Sequence, residues 1–271
     1  MFSAKHRWLS LLSASAILLV LPFLMAAGER TVKNNGAYNP DNETVEMFQA
    51  MKDGQIAVKF IPKDSKQANV LIENKTDKPL NVKLPEAFAG MPVLPQFGGG
   101  NQRSNNSGNN NNNSNQSMGG GMGGGGMGMG GMGMGMFNVA PEKVGKIKVD
   151  TVCLEHGKAE PRAAVPYEIK PIESFTTKSG VKELCQMLGT GQLDQRAAQA
   201  AAWHLSNDMS WQELAAKHYK YANGMTKPYF SQQELQAAMA VAGNALKTAK
   251  ENEKQNPSPS GTENYETPTR K

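Results

Sequence analysis

Chemically capable side chains are few in this chain, and the first pair is Cys153 and His156, in the run Cys153-Leu154-Glu155-His156. A thiol beside an imidazole is the pairing of a cysteine nucleophile. On a strand, residues three apart point to opposite faces, and no Asn or Asp stands out as an orienting partner. A structural role for Cys153 is therefore favoured. The other cysteine is Cys185. In an oxidising compartment two thiols commonly pair, so a Cys153–Cys185 disulfide is expected to compete with two free buried thiols. A third set is the thioethers of Met122, Met127, Met129, Met132, Met134 and Met136. Soft thioethers suit Cu(I), but no His, Asp or Cys lies among them. A low-complexity linker whose methionines make adaptable apolar contacts is the preferred reading. His204 and His218 lack any spacing such as H-E-x-x-H and read as ordinary helix residues. No catalytic set and no cofactor motif emerges, and a non-enzymatic protein without a cofactor is expected.

The elements that must hold these residues begin after a leader. Lys5, His6 and Arg7 precede an apolar run from Trp8 to Leu24, and Ala26-Ala27-Gly28 offers small residues for cleavage. That is the pattern of a signal peptide over residues 1–28, with a retained membrane anchor as the alternative. The expected location is secreted, periplasmic or cell-surface. No later segment is apolar enough to span a membrane. The formal net charge of +5 includes Lys5 and Arg7, and basic and acidic residues alternate through the body. No Lys/Arg stripe of the kind that follows phosphates is evident, which argues against nucleic acid as a partner.

After a polar segment (29–52), with a faint helical pattern from Thr44 to Met51, period-2 alternation starts. Ile56, Val58 and Phe60 form one set, Ala68, Val70 and Ile72 a second, and Leu80, Val82 and Leu84 a third. Polar opposite faces predict antiparallel strands over 53–97. Residues 98–136 are rich in Asn, Gly and Met, with no β-branched or aromatic residue. Such a tract is expected to stay disordered, because it cannot bury enough apolar area to offset the entropy of ordering. Strand patterning resumes over 137–176 with Val144, Ile147, Val149, Val152, Leu154, Tyr167 and Ile169. Five to seven short strands with polar turns predict an Ig-like β-sandwich interrupted by a long loop.

A helical region is expected over 177–252. Ser210 with Glu213 and Ser231 with Glu234 are capping boxes. Leu235, Ala238, Met239, Ala242, Ala245, Leu246 and Ala249 lie at helical spacing on one stripe. Residues 253–271 are polar and proline-containing, and read as a disordered tail. The fold class is thus α+β, a sandwich followed by a small helical bundle.

Within the Ala-rich helix, Gln199-Ala200-Ala201-Ala202-Trp203 resembles the Q-x-A-x-W signature of bacterial surface adhesins with an internal thioester domain. The resemblance implies that Gln199 is joined to a cysteine on a preceding strand, here Cys153, and that the bond captures host amines. Ala198 stands where that family commonly has Thr, and the Cys–Gln interval is short for it. A plain packing helix accounts for the same letters. The expected role is therefore a structural or adhesive protein, binding an unknown protein or surface polymer and self-associating weakly through the 98–136 loop. Cu(I) binding and covalent adhesion through Cys153 and Gln199 are the alternatives.

Overall fold

A computed structural model describes residues 38–93, 115–123 and 135–255. The signal-peptide expectation and the tail beyond residue 255 lie outside these residues. The alternating sets become strands as expected: β2 (Ile56–Pro62), β3 (Gln67–Asn74) and β4 (Leu80–Lys83). Ahead of them, β1 (Glu43–Glu46) and a short helix, α1 (Met47–Lys52), occupy the stretch with the faint helical pattern. The chain continues through β5 (Phe88–Pro92), β6 (Met118–Gly120), β7 (Met136–Val139), β8 (Val144–Cys153) and β9 (Tyr167–Pro171).

These strands do not form a sandwich. β2, β3, β8, β6, β5 and β9 pair in that order, all antiparallel, and the ring closes because β2 meets β9 at Phe60–Tyr167. The expected Ig-like sandwich is thus corrected to a closed six-stranded barrel. Period-2 alternation is the same in both architectures, since each buries one face of every strand. Phe60, Val70, Ile72, Phe88, Met118, Val149 and Ile169 fill the barrel interior. A second, three-stranded sheet, β1-β4-β7, adds Leu80, Val82, Phe137 and Val139 to the same core. β1 runs parallel to β4, the one parallel pairing among these strands. Asn81, fully buried there, donates to the carbonyls of Asn39 and Asn42 at 2.6 and 3.1 Å, which satisfies its amide.

The larger surprise is β6. It lies inside the tract expected to be disordered, pairs on one side with β5 and on the other with β8, and is buried at every residue. Its glycines are the reason it can sit there. A Cβ on Gly119 would lie 2.7 Å from Cys185 Sγ, and one on Gly121 would strike the backbone oxygens of Cys185 and Glu86. Both positions face the first helix of the second layer, which rests directly on bare backbone.

That layer consists of α2 (Val181–Gly189), α3 (Gln195–Asn207), α4 (Trp211–Ala216) and α5 (Gln232–Gln255). The helical region is as expected, and Ser210 and Glu213 form the full capping box. Ala197, Ala198, Ala200, Ala201 and Ala202 are all buried on α3, so small side chains bring it close to α5 and to the barrel wall. Between α4 and α5 lies an unforeseen hairpin, β10 (His218–Lys220) and β11 (Thr226–Pro228). No described helix is long and apolar enough to cross a membrane.

Candidate functional site

Cys153 ends β8, opposite Met118 of β6. On the other edge, β3 pairs with β8 only as far as Gln67–Asp150, and one further bond joins Thr151 N–H to the Lys66 carbonyl at 2.8 Å. Beyond that point the backbone of β8 has lost its strand neighbour, and buried peptide groups need partners. Helix α3 supplies them with side chains. Gln195 Nε2 donates to the Thr151 carbonyl at 3.1 Å, Ser206 Oγ to the Leu154 carbonyl at 2.9 Å, and His156 N–H to Asn207 Oδ1 at 3.1 Å.

The central member of this series is Gln199, 6 % exposed. Its Oε1 accepts from the Cys153 N–H at 2.8 Å, and its Nε2 donates to the Cys153 carbonyl at 2.9 Å. The carboxamide therefore occupies the place of a third strand and is clamped on the residue that carries the thiol. The two positions paired by the adhesin resemblance, 46 residues apart in sequence, are neighbours in space.

Cys153 and Cys185 are not joined. Both are free and buried. Val152 and Leu154, which flank Cys153, pack with Cys185 in the cluster beneath the helices. Alternation along the strand sends the Cys153 side chain to the other face, where Sγ lies 3.9 Å from the Ser65 carbonyl. Of the two alternatives, disulfide or free buried thiols, the structure holds the second, with the strand between the two side chains. Burial raises the pKa of Cys153 well above the ordinary thiol range, and the Glu160 and Asp64 charges add to the rise. Burial, helped by the Glu183 charge, pushes Cys185 up to about 12. Neither is a thiolate at neutral pH, which removes the usual basis of cysteine nucleophilicity.

The Cys153–His156 pairing does not form either. The His156 ring packs edge-on against Trp203, with centroids 4.8 Å apart, and Nε2 faces Lys217 Nζ at 2.8 Å. Burial and the Lys217 ammonium lower its pKa, against the opposing pull of Glu213, so the imidazole is neutral and accepts from the lysine. His204 Nδ1 lies 2.8 Å from the Met209 carbonyl, and His218 Nδ1 2.6 Å from that of Ala216.

A cavity of about 270 Å³ opens beside Cys153 and Gln199. Lys66, Glu160 and Arg196 bring charge to its wall, and Trp203, Tyr219 and Tyr229 bring aromatic surface. Trp203 is one helical turn beyond Gln199, which puts both on the same face of α3. Arg196 is fixed by Glu234, 2.6 Å away, and lies over the Tyr229 and Phe230 rings. Of the aromatic residues, Tyr219, Tyr229 and Phe230 were not foreseen from the sequence. Tyr219, Tyr229 and Phe230 lie on or beside the hairpin, and that hairpin carries no clear hydrophobic period.

Of the methionines considered for soft metal, Met122 is 7 % exposed and belongs to the barrel core. Met136 sits half-buried on β7. Met127, Met129, Met132 and Met134 lie outside the described residues. Among the described residues, no group of three or more His, Cys, Asp or Glu is placed to hold a metal. No family model, no curated protein and no solved structure matches the chain.

Proposed function

We propose that this is an exported, non-enzymatic adhesive protein that attaches covalently through a thioester between Cys153 and Gln199. The observation that carries this reading is the two-point clamp of the Gln199 carboxamide on the Cys153 backbone. It fixes the acyl group on the backbone of the residue that carries the thiol, and both residues line one cavity, a placement that favours intramolecular acyl transfer. Cys153 Sγ bonds to Gln199 Cδ, the Cδ–Nε2 bond breaks, and Nε2 leaves as ammonia with the thiol proton. Glu160 lines the same cavity and is the carboxylate whose charge weighs most on the thiol. It is suited to relay that proton. An incoming primary amine then forms an amide at Cδ and restores the Cys153 thiol. Export is read from the leader pattern of residues 1–28.

Intact mass of the folded, mature protein tests the reading. A thioester lowers the mass by one ammonia, and methylamine then adds to the protein while one thiol becomes alkylatable. Cys153→Ala and Gln199→Ala each abolish both effects. A full mass, with Cys153 alkylated once the chain is unfolded, overturns it. A loss of two hydrogens instead would assign a disulfide.

A further inference from the structure

Among the described residues the hairpin β10–β11 has no other strand beside it, and all six of its strand residues are exposed. In its register Tyr219 stands opposite Lys227, and Tyr221 N–H bonds to the Met225 carbonyl at 2.9 Å. Residues two apart on a strand, and those directly opposite, share a face. Tyr219, Tyr221, Met225 and Lys227 therefore line one side of the ribbon. Tyr219, Tyr221 and Met225 are 40, 50 and 62 % exposed. Contiguous exposed apolar side chains of this kind mark interaction surfaces.

Charge narrows the partner. No Asp or Glu occurs between Leu214 and Gln233, whereas Lys217, Lys220 and Lys227 do. Among the described residues neither Lys220 nor Lys227 has a carboxylate partner. The strip also has a direction. Tyr219 stacks on Tyr229, centroids 4.3 Å apart and planes inclined by 24°, and Tyr229 lies 5.5 Å from Trp203 at the cavity wall. A line of aromatic rings thus leads from Tyr219 on the hairpin to the pocket of Cys153 and Gln199. Between His218 and Pro228 there is no Leu, Ile, Phe or Trp. Insertion into lipid relies on such residues, and this strip is built of tyrosine instead. Flat phenol rings stack on the C–H faces of sugar rings, and the Lys227 ammonium opposite Tyr219 matches a carboxylate or sulfate substituent.

We propose that the hairpin is a docking element for an anionic polysaccharide. This does not depend on the thioester, and Cys153→Ala is expected to leave it intact. The test is retention of the full mature chain on immobilised polygalacturonate, compared with neutral dextran and with phosphatidylglycerol vesicles. Salt-sensitive retention on polygalacturonate alone is expected. Lys227→Ala weakens it by about threefold and flattens its salt dependence. Tyr221→Ala weakens it while leaving the salt dependence in place. Both side chains are exposed, and unchanged circular dichroism checks that the variants fold. Absence of retention, equal retention on dextran, preference for the vesicles, or variants that bind like the parent would each overturn the proposal.

Discussion

Both ends of the Gln199 carboxamide meet a single residue, and this makes position 199 separable from the chemistry it is proposed to perform. Relative to a chain whose Gln199 carboxamide is intact, Gln199→Ala strands a buried N–H and C=O on Cys153, a loss of roughly 2–4 kcal/mol from two hydrogen bonds and their desolvated partners. Cys153→Ser keeps both bonds, and removes the ammonia loss without that penalty. Urea unfolding of the two variants distinguishes the roles. Glu160→Gln is expected to lower the fraction of molecules that have lost ammonia, read from the same mass spectra. His156 gives the fold an acid-sensitive point. Its pKa is lowered on folding, so the unfolded chain binds the proton more tightly. The stability tied to its neutral form is complete above the ordinary imidazole value of 6.5 and is lost as the pH falls through the folded pKa. Unfolding midpoints should drop between neutral pH and ~pH 5 in the parent and drop less in His156→Gln. Glu155 and Glu234 respond only at lower pH. Burial raises each, but Lys158 and Ser117 hold Glu155, and Arg196 and Ser231 hold Glu234, below the usual carboxylate range.

Among the elements, what could be read in advance followed from side-chain periodicity. Ile56 and Phe60, or Val70 and Ile72, announce their strands because alternating burial leaves alternating letters. Ser231 announces the start of α5 because its Oγ accepts from the Glu234 N–H at 3.2 Å while Glu234 Oε2 accepts from the Ser231 N–H at 2.7 Å. β6 follows another logic. Met118-Gly119-Gly120 shows no alternation, since one face is occupied by a helix backbone and the absence of side chains is what fits. Composition alone cannot separate glycine that permits disorder from glycine that permits contact. Gly121→Ala sets a Cβ 2.6 Å from the Glu86 carbonyl oxygen, a backbone atom that cannot rotate away. About 1–3 kcal/mol of stability is expected to go, against a smaller effect for Gly123→Ala, whose Cβ first meets Glu86 Cα at 3.2 Å. Thermal melts of the two variants make the comparison. For the site, Gln199 was legible from its spacing to Trp203. The clamp on Cys153 was not, because it depends on where β3 stops pairing with β8, and no local pattern encodes that.

For the molecule as a whole, barrel against sandwich was decided by one pairing, Phe60–Tyr167, between strands more than a hundred residues apart. Removing residues 98–136 also removes β6 and leaves β5 and β8 without the strand that both pair with. Such a deletion is expected to abolish cooperative unfolding rather than trim a loop, which a single denaturation curve reads out. Gly119 and Gly121 also mean that a repetitive stretch of this chain carries positional information. Reordering its letters while keeping every one of them would preserve composition, charge and length, yet would put methionine thioethers where the first helix must touch peptide backbone. Expansion or slippage of the repeat on either side is compatible with the fold only when that short Met-Gly-Gly-Gly register mark comes through unaltered.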